Sequence, residues 1–151
     1  MISEILGNAV GIIPKTDPFA TEGKAQLTKN LQDDTCIFDN AGICLFLLVN
    51  LWTKEILEQL EPATGAGYTM ESMKLVGERT WNLERLFNQK AGLTGKDDTL
   101  PKRLLEEPMP EGPAKGRVCK LHEMLPEYYK LRGWDENGNP TEEKLIELGL
   151  D

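Results

Sequence analysis

A chain of 151 residues, 40% hydrophobic and 28% charged, is one domain by size and has the balance of a soluble globular protein with a core of its own. Its 17 basic and 25 acidic side chains give a formal charge of −8, which argues against nucleic acid and against anionic membrane surfaces, both of which repel an acidic protein. The odd count of three cysteines does not suggest a disulfide framework, Met1 to Pro14 lacks a basic leader and is interrupted by Glu4, and Ile43 to Leu51 is too short to span a bilayer; together these point to the cytoplasm, with reduced thiols.

Residues 1–20 read as an irregular lead, because Gly7, Gly11, Pro14 and Pro18 would break a helix. Helix signals begin near Thr21 and Glu22, with Ala25, Leu27 and Leu31 roughly on one face. Gly42 marks a bend or a close contact before a second helix, about Ile43 to Trp52. Thr53 then caps Lys54 to Leu60, and Pro62, Gly65 and Gly67 make a loop. The clearest helix runs from Thr69, an N-cap candidate, to about Lys90, and Gly92 supplies its stop. Met73, Val76, Thr80, Leu83 and Phe87 form its apolar stripe, while Glu71, Lys74, Glu78 and Arg85 occupy a face expected to be solvated.

Gly92 to Arg117 is rich in loop residues and holds one short helix, Lys102 to Glu106. A loop of this length either lines an access route or packs across the helices. Leu121, Leu125, Tyr128, Tyr129 and Leu131 define the next helix, stopped at Gly133, and Trp134 to Gly138 is a turn. Thr141 caps a last helix, Glu142 to Leu148, ended by Gly149. No alternating strand pattern and no repeat appears. The expected architecture is all-α: one helical domain over residues 1–151, about six helices around one core, with long Pro/Gly-rich loops.

The sole histidine, His122, lies beside Glu123 with no Ser or Cys nearby in sequence, so it reads as a surface residue rather than a catalytic base. Cys119 is followed by Lys120 and is either a thiol of lowered pKa or an incidental one. There is no phosphate-binding glycine loop and no paired-Cys zinc spacing. Asp39, Gly42 and Cys44 fall within six positions. Asp39 can accept two parallel N–H bonds from a flat heterocycle, Gly42 lets backbone approach a ring, and Cys44 as thiolate can ligate iron or zinc. The same residues also fit a buried helix in which Cys36 and Cys44 are small core residues and Asp39 is a turn or cap residue.

Asp39-Asn40-Ala41-Gly42-Ile43-Cys44 resembles the Asp-x-x-Gly-Leu-Cys motif of the tungsten-containing aldehyde ferredoxin oxidoreductases. Gly77–Asn88, Gly92–Arg103, Glu111–Gly116 and Tyr128–Gly138 continue the likeness in order. It runs from about Pro18 to Leu150 and is to the C-terminal part of that family; the larger N-terminal portion, with its own pterin motif and three further cluster cysteines, is not among these residues. The resemblance implies a tungsten, or sometimes molybdenum, held between two pterin dithiolenes, with a [4Fe–4S] cluster beside one pterin. It implies oxidation of aldehydes to carboxylic acids with water, the electrons passing through the cluster to ferredoxin. On that basis Asp39 would bind pterin N–H groups, Gly42 and Ile43 would lie along the ring, and Cys44 would supply one cluster thiolate. Ile43 stands where the family usually has Leu, a small change because the backbone carries the role.

The chain would thus hold part of a site and be inactive alone, with both cofactors present only in the complete enzyme. Its partners would be the missing N-terminal domains or a separately encoded subunit, and ferredoxin. The apolar surface around Ile43 to Leu48 is either buried in the domain's own core or left open to self-association as a homo-oligomer. A competing reading is a helical interaction module that binds a partner chain without any cofactor.

Overall fold

No Gly or Pro interrupts Lys24 to Asn40, and this stretch forms one long helix, α1 (Lys24–Asn40). The computed structural model describes residues 17–49 and 51–151, with backbone alone at 48 and 49. After α1 come α2 (Thr53–Thr64), α3 (Met70–Lys90), α4 (Lys102–Glu106), α5 (Leu121–Arg132) and α6 (Glu142–Leu148). Two short 3₁₀ turns, Leu45–Val49 and Gly95–Asp97, lie between them. An isolated bridge between Trp134 and Pro140 is the extent of β pairing among the described residues, so the all-α expectation holds. Gly7, Gly11 and Pro14, read as helix breakers, lie outside the described residues.

α1 is the hub, packing on α3, α5 and α2. Its C-terminal half is apolar: Ile37 and Phe38 are buried with Ile56 of α2 and Met73 of α3, and Leu51, Leu57 and Leu60 close over them. Its N-terminal half is held by charge. Arg132 of α5 is fully buried, and its guanidinium donates to Asp33 Oδ1 and, at 2.8 Å, to Gln32 Oε1. Lys29 Nζ meets the other Asp33 oxygen at 2.8 Å. Lys29 also reaches Glu78 of α3 at 3.4 Å, and Glu78 is 3.0 Å from Lys144 of α6. A buried cation is tolerable only when its donors are used and its charge is matched, and here four helices supply the partners.

Several local expectations are corrected. The proposed helix Ile43–Trp52 is a 3₁₀ turn at Leu45–Val49, because α1 ends in a tight glycine stop that sends the chain off at an angle. Thr53 is not a cap; Trp52 holds that place, its N–H bonded to Glu55 at 2.9 Å, and Thr53 Oγ1 donates to Asp34 at 2.8 Å. α2 continues through Pro62, forgoing one backbone bond there, and stops at Gly65 (φ 61°). Thr69 does cap α3, exchanging hydrogen bonds with Ser72 at 2.8 and 3.1 Å.

The apolar stripe of α3 holds only in part. Met73 is buried, but Leu83 is 49% and Phe87 72% exposed. The face of α3 turned inward is Met73, Gly77, Asn82 and Arg85. Arg85 was placed on a solvated face; instead it is buried, clamping Asp98 at 2.7 and 2.8 Å and the Gly138 carbonyl at 2.7 Å. Glu78 likewise faces α1 and α6. The loop after α3 therefore folds back across the helices rather than standing off.

Two outcomes follow from this packing. A Cβ built on Gly77 would sit 2.3 Å from the Asp33 carbonyl oxygen, so Gly77→Ala must separate α1 from α3. Urea unfolding should show a loss of about 1–3 kcal/mol. Burial works to raise the pKa of Glu78, but bonds from Lys144 and charge from Lys29 outweigh it, and the net shift is downward from 4.5. A carboxylate with a depressed folded pKa adds stability above its unfolded value and loses it as pH falls through the folded one. Glu78→Gln should be less stable than wild type at pH 7, and the gap should close as the pH is lowered below about 4.5, read from urea midpoints at each pH.

Candidate functional site

The end of α1 is built by four consecutive backbone choices. Ala41 N–H returns to Ile37 O, Gly42 N–H to Asp39 O and Ile43 N–H to Phe38 O, each at 3.0 Å. This is the Schellman pattern, in which the residue after the helix takes a left-handed conformation. Gly42 does so at φ 69°, where a side chain would be strained. The hydrophobic contact that accompanies the motif is present too: Ile43 packs against the buried cluster that includes Phe38.

That anchoring decides which way the neighbours face. With Ile43 half-buried, Cys44 emerges exposed, and Asp39 and Gly42 are exposed as well. A Cβ on Gly42 would meet nothing within 4 Å, so a bare backbone surface stands open there. The structure thus brings the predicted Asp39, Gly42, Ile43 and Cys44 to one helix end. It rejects the alternative that made Cys44 a core residue. Cys36 does fit that alternative: it is 4% exposed, and burial, with Glu84 and Asp33 adding to it, pushes its thiol up to about 11. Cys119 is half-buried. His122 is an exposed surface residue beside Glu123, as read from the sequence.

Asp39 is placed against the interest of its own helix. It sits in the last turn, where the helix dipole is negative, and that turn contains no basic residue. A carboxylate there costs stability. Beyond Cys44 the chain exposes Leu45 at 44%, Phe46 at 83% and Leu47 at 47%. Leu51 N–H bonds back to Leu47 O at 2.8 Å, and the indole N–H of the next residue, Trp52, is buried without an acceptor. The expectation of uncovered apolar surface around Ile43 to Leu48 is met at residues 45–47. Among the described residues no three His, Cys, Asp or Glu side chains lie close enough together to hold a metal ion. Cys44 fits one ligand of a shared cluster, and Asp39 with the Gly42 backbone fits a planar heterocycle bearing N–H groups.

The sequence reading missed a second feature at the other end of α1. A cavity of about 500 Å³ opens between α1, α3, α5 and the loop after Gly95. Trp81, Tyr128, Tyr129 and Trp134 line it. The three aromatic positions in Tyr128–Trp134 were the available signal, but only the pairing of α5 with α3 closes them around a space. Among the described residues no helix is long and apolar enough to cross a membrane.

Residues 1–150 match a family model described as aldehyde ferredoxin oxidoreductase, domains 2 and 3. The chain is 53% identical to a tungsten-containing aldehyde ferredoxin oxidoreductase of Pyrococcus abyssi, over 100% of this chain and 25% of that protein. It is 51% identical to the protein of that name from Pyrococcus furiosus, over 99% of this chain and 25% of the relative. A more distant relative, at 34% over 75% of this chain, is the aliphatic sulfonate oxidoreductase, WOR-like subunit, of Pyrococcus furiosus. The chain spans about a quarter of the length of the curated relatives it matches at half identity.

The misplaced charge at Asp39 gives a test with a counter-intuitive sign. Asp39→Asn should raise the stability of this chain by about 0.3–1 kcal/mol at low ionic strength, and added salt should shrink the gain. Thermal or urea unfolding at two salt concentrations reads it.

Proposed function

The chain belongs to the aldehyde ferredoxin oxidoreductase family, and from that premise we propose that it supplies one wall of a tungsten (or molybdenum) pterin centre. The complete enzyme would oxidise aldehydes to carboxylic acids in the cytoplasm and pass electrons to ferredoxin. The observation that carries this reading is the single Schellman turn that exposes the Asp39 carboxylate, the Gly42 backbone and the Cys44 thiol side by side in sequence. None of the three is needed outward for folding, and one of them works against it.

The roles follow from the chemistry of each group. The Asp39 carboxylate accepts from adjacent N–H groups of a pterin, and such bonds hold a carboxylate ionised. The helix end that is unfavourable for a lone charge becomes acceptable once N–H donors offset it. Gly42 leaves room for the ring to lie along the main chain, and Ile43, fixed in the core behind it, keeps that surface from yielding. Cys44 presents one thiolate to a [4Fe–4S] cluster, whose other ligands come from elsewhere because such clusters take about four. When bound, the metal–pterin centre carries the two-electron oxidation and the cluster carries the electrons away. This chain's own contribution is position and exclusion of water.

The rest of the surface supports a shared site. Leu45, Phe46 and Leu47 are exposed in a row, and Trp52 buries an indole N–H that has no acceptor in its own fold. Native proteins leave few such groups unpaired. Both features suit contact with the remaining three quarters of an enzyme of the relatives' length, whether on the same chain or on a separate subunit. The more distant relative is named for a different substrate class, which suits a domain that positions cofactors and leaves substrate choice to other parts.

The test joins this chain to the missing domains, in one reading frame or by co-expression. Wild type should show aldehyde-dependent viologen reduction and a full complement of iron. Cys44→Ser should lower iron content and cut electron transfer, and Asp39→Ala should lower pterin retention; losses of about 10- to 100-fold are expected for groups that hold a centre. Full activity in both variants would refute the assignment, and turnover by this chain alone with stoichiometric metal would refute the shared site.

A further inference from the structure

We propose that the cavity at the N-terminal half of α1 is a binding site for a small neutral aromatic molecule, separate from the Asp39–Cys44 turn and independent of the cofactor reading. The cavity takes Gln32 as a wall residue, seven positions before Asp39, which places that wall roughly 10 Å further along the helix. Its volume, about 500 Å³, lies within the range of sites for small organic ligands.

The chemical class follows from what the walls offer. Four aromatic rings meet there: Tyr128 stands edge-on to Trp134 at 5.8 Å and Tyr129 lies 5.9 Å from the same ring, while Trp81 joins through its N–H bond to Tyr128 Oη at 2.9 Å. Their polar ends are spent inside the protein. Tyr128 donates to Gln32 at 2.7 Å, Tyr129 to Asp98, and Trp134 to Asn82 at 2.8 Å. The charged pair on the wall, Arg85 and Asp98, is closed on itself by two bonds. What remains to face the space is ring carbon together with Leu100, Met124 and Leu125.

An ion entering such a space gives up hydration with no matching charge to repay it. A flat apolar ring loses nothing and gains offset or edge contacts with walls of the same kind. The rings are also locked by their bonds, so the space cannot collapse cheaply around a vacancy. A single-ring neutral compound is therefore the ligand the walls select.

The experiment uses the full chain labelled with ¹⁵N and follows its indole N–H signals. Of the three tryptophans, Trp81 and Trp134 line the cavity and Trp52 does not. Benzyl alcohol should shift the signals of Trp81 and Trp134 saturably and leave Trp52 unmoved. Benzoate and benzylammonium should bind at least about tenfold more weakly. Thr28 and Thr99 stand exposed on the cavity lining, so Thr28→Phe and Thr99→Phe should obstruct it with little risk to the fold, each weakening benzyl alcohol by about tenfold or more. The proposal is overturned if no saturable shift appears, if all three indoles move together, if either ion binds as well as the alcohol, or if an obstructing variant with the wild-type spectrum binds undiminished.

Discussion

Everything in this fold leans on one buried guanidinium. Arg132 is fully enclosed, and its planar fork is matched by Asp33 and Gln32 of α1, while its Nε reaches Tyr128 Oη at 3.1 Å. It also lies over the rings of Trp81 and Tyr128 at 5.2 and 5.4 Å. Lysine could not replace it, since one point charge cannot satisfy several acceptors set in a plane. The close approach at Gly77 lets α3 come near enough for Lys29 and Glu78 to extend the same network. Such a core specifies a single register for the helices, because sliding α1 by one turn would strand a buried charge.

The network divides α1 into two halves with different tasks. Toward its start the helix is tied by charge and walls a cavity. Toward its end it is tied by Phe38, Ile37 and their apolar neighbours, and it stops in a turn that presents chemistry outward. The rigidity of the exposed turn is thus borrowed from the core directly behind it, through Ile43.

The helix ends were the most legible part of the sequence, and the reason is local. At Gly42, Gly92, Gly133 and Gly149 the glycine is followed by an apolar residue, and in each case the structure shows the same pair of backbone bonds closing the helix. Short-range patterns of that kind need no knowledge of the partner. The 3₁₀ turn at Leu45–Val49 was misread because its apolar run looks helical by composition, and only the exit angle set by Gly42 denies it a partner helix. The inward face of α3 was misread for a different reason. Periodicity assigns polar residues to solvent, yet Asn82 and Arg85 are inside, satisfied by Trp134, Asp98 and Gly138. Those partners lie as many as 53 residues away in sequence, beyond any pattern in the helix itself. At the candidate site, residue types and the glycine bend were visible in advance. The exposure of Cys44 beside the burial of Cys36 was not, since it depends on which of the two follows the Ile43 anchor.

That anchor also explains why a site meant to be shared can be prepared by one partner alone. Moving three groups into position at assembly would cost the ordering of several residues, on the order of 1–2 kcal/mol each for backbone alone. Here the backbone bonds of the α1 terminus and the Ile43 contact have fixed that geometry during folding. The groups left over are the ones a folded chain would prefer to cover or remove: a carboxylate at the wrong end of a helix, a bare glycine, an exposed thiol and a row of apolar side chains. Each becomes favourable only against a partner that brings N–H donors, a flat ring, a metal and apolar surface. The stability given up at this turn and the chemistry offered there are one arrangement, in which folding prepares a surface that only binding completes.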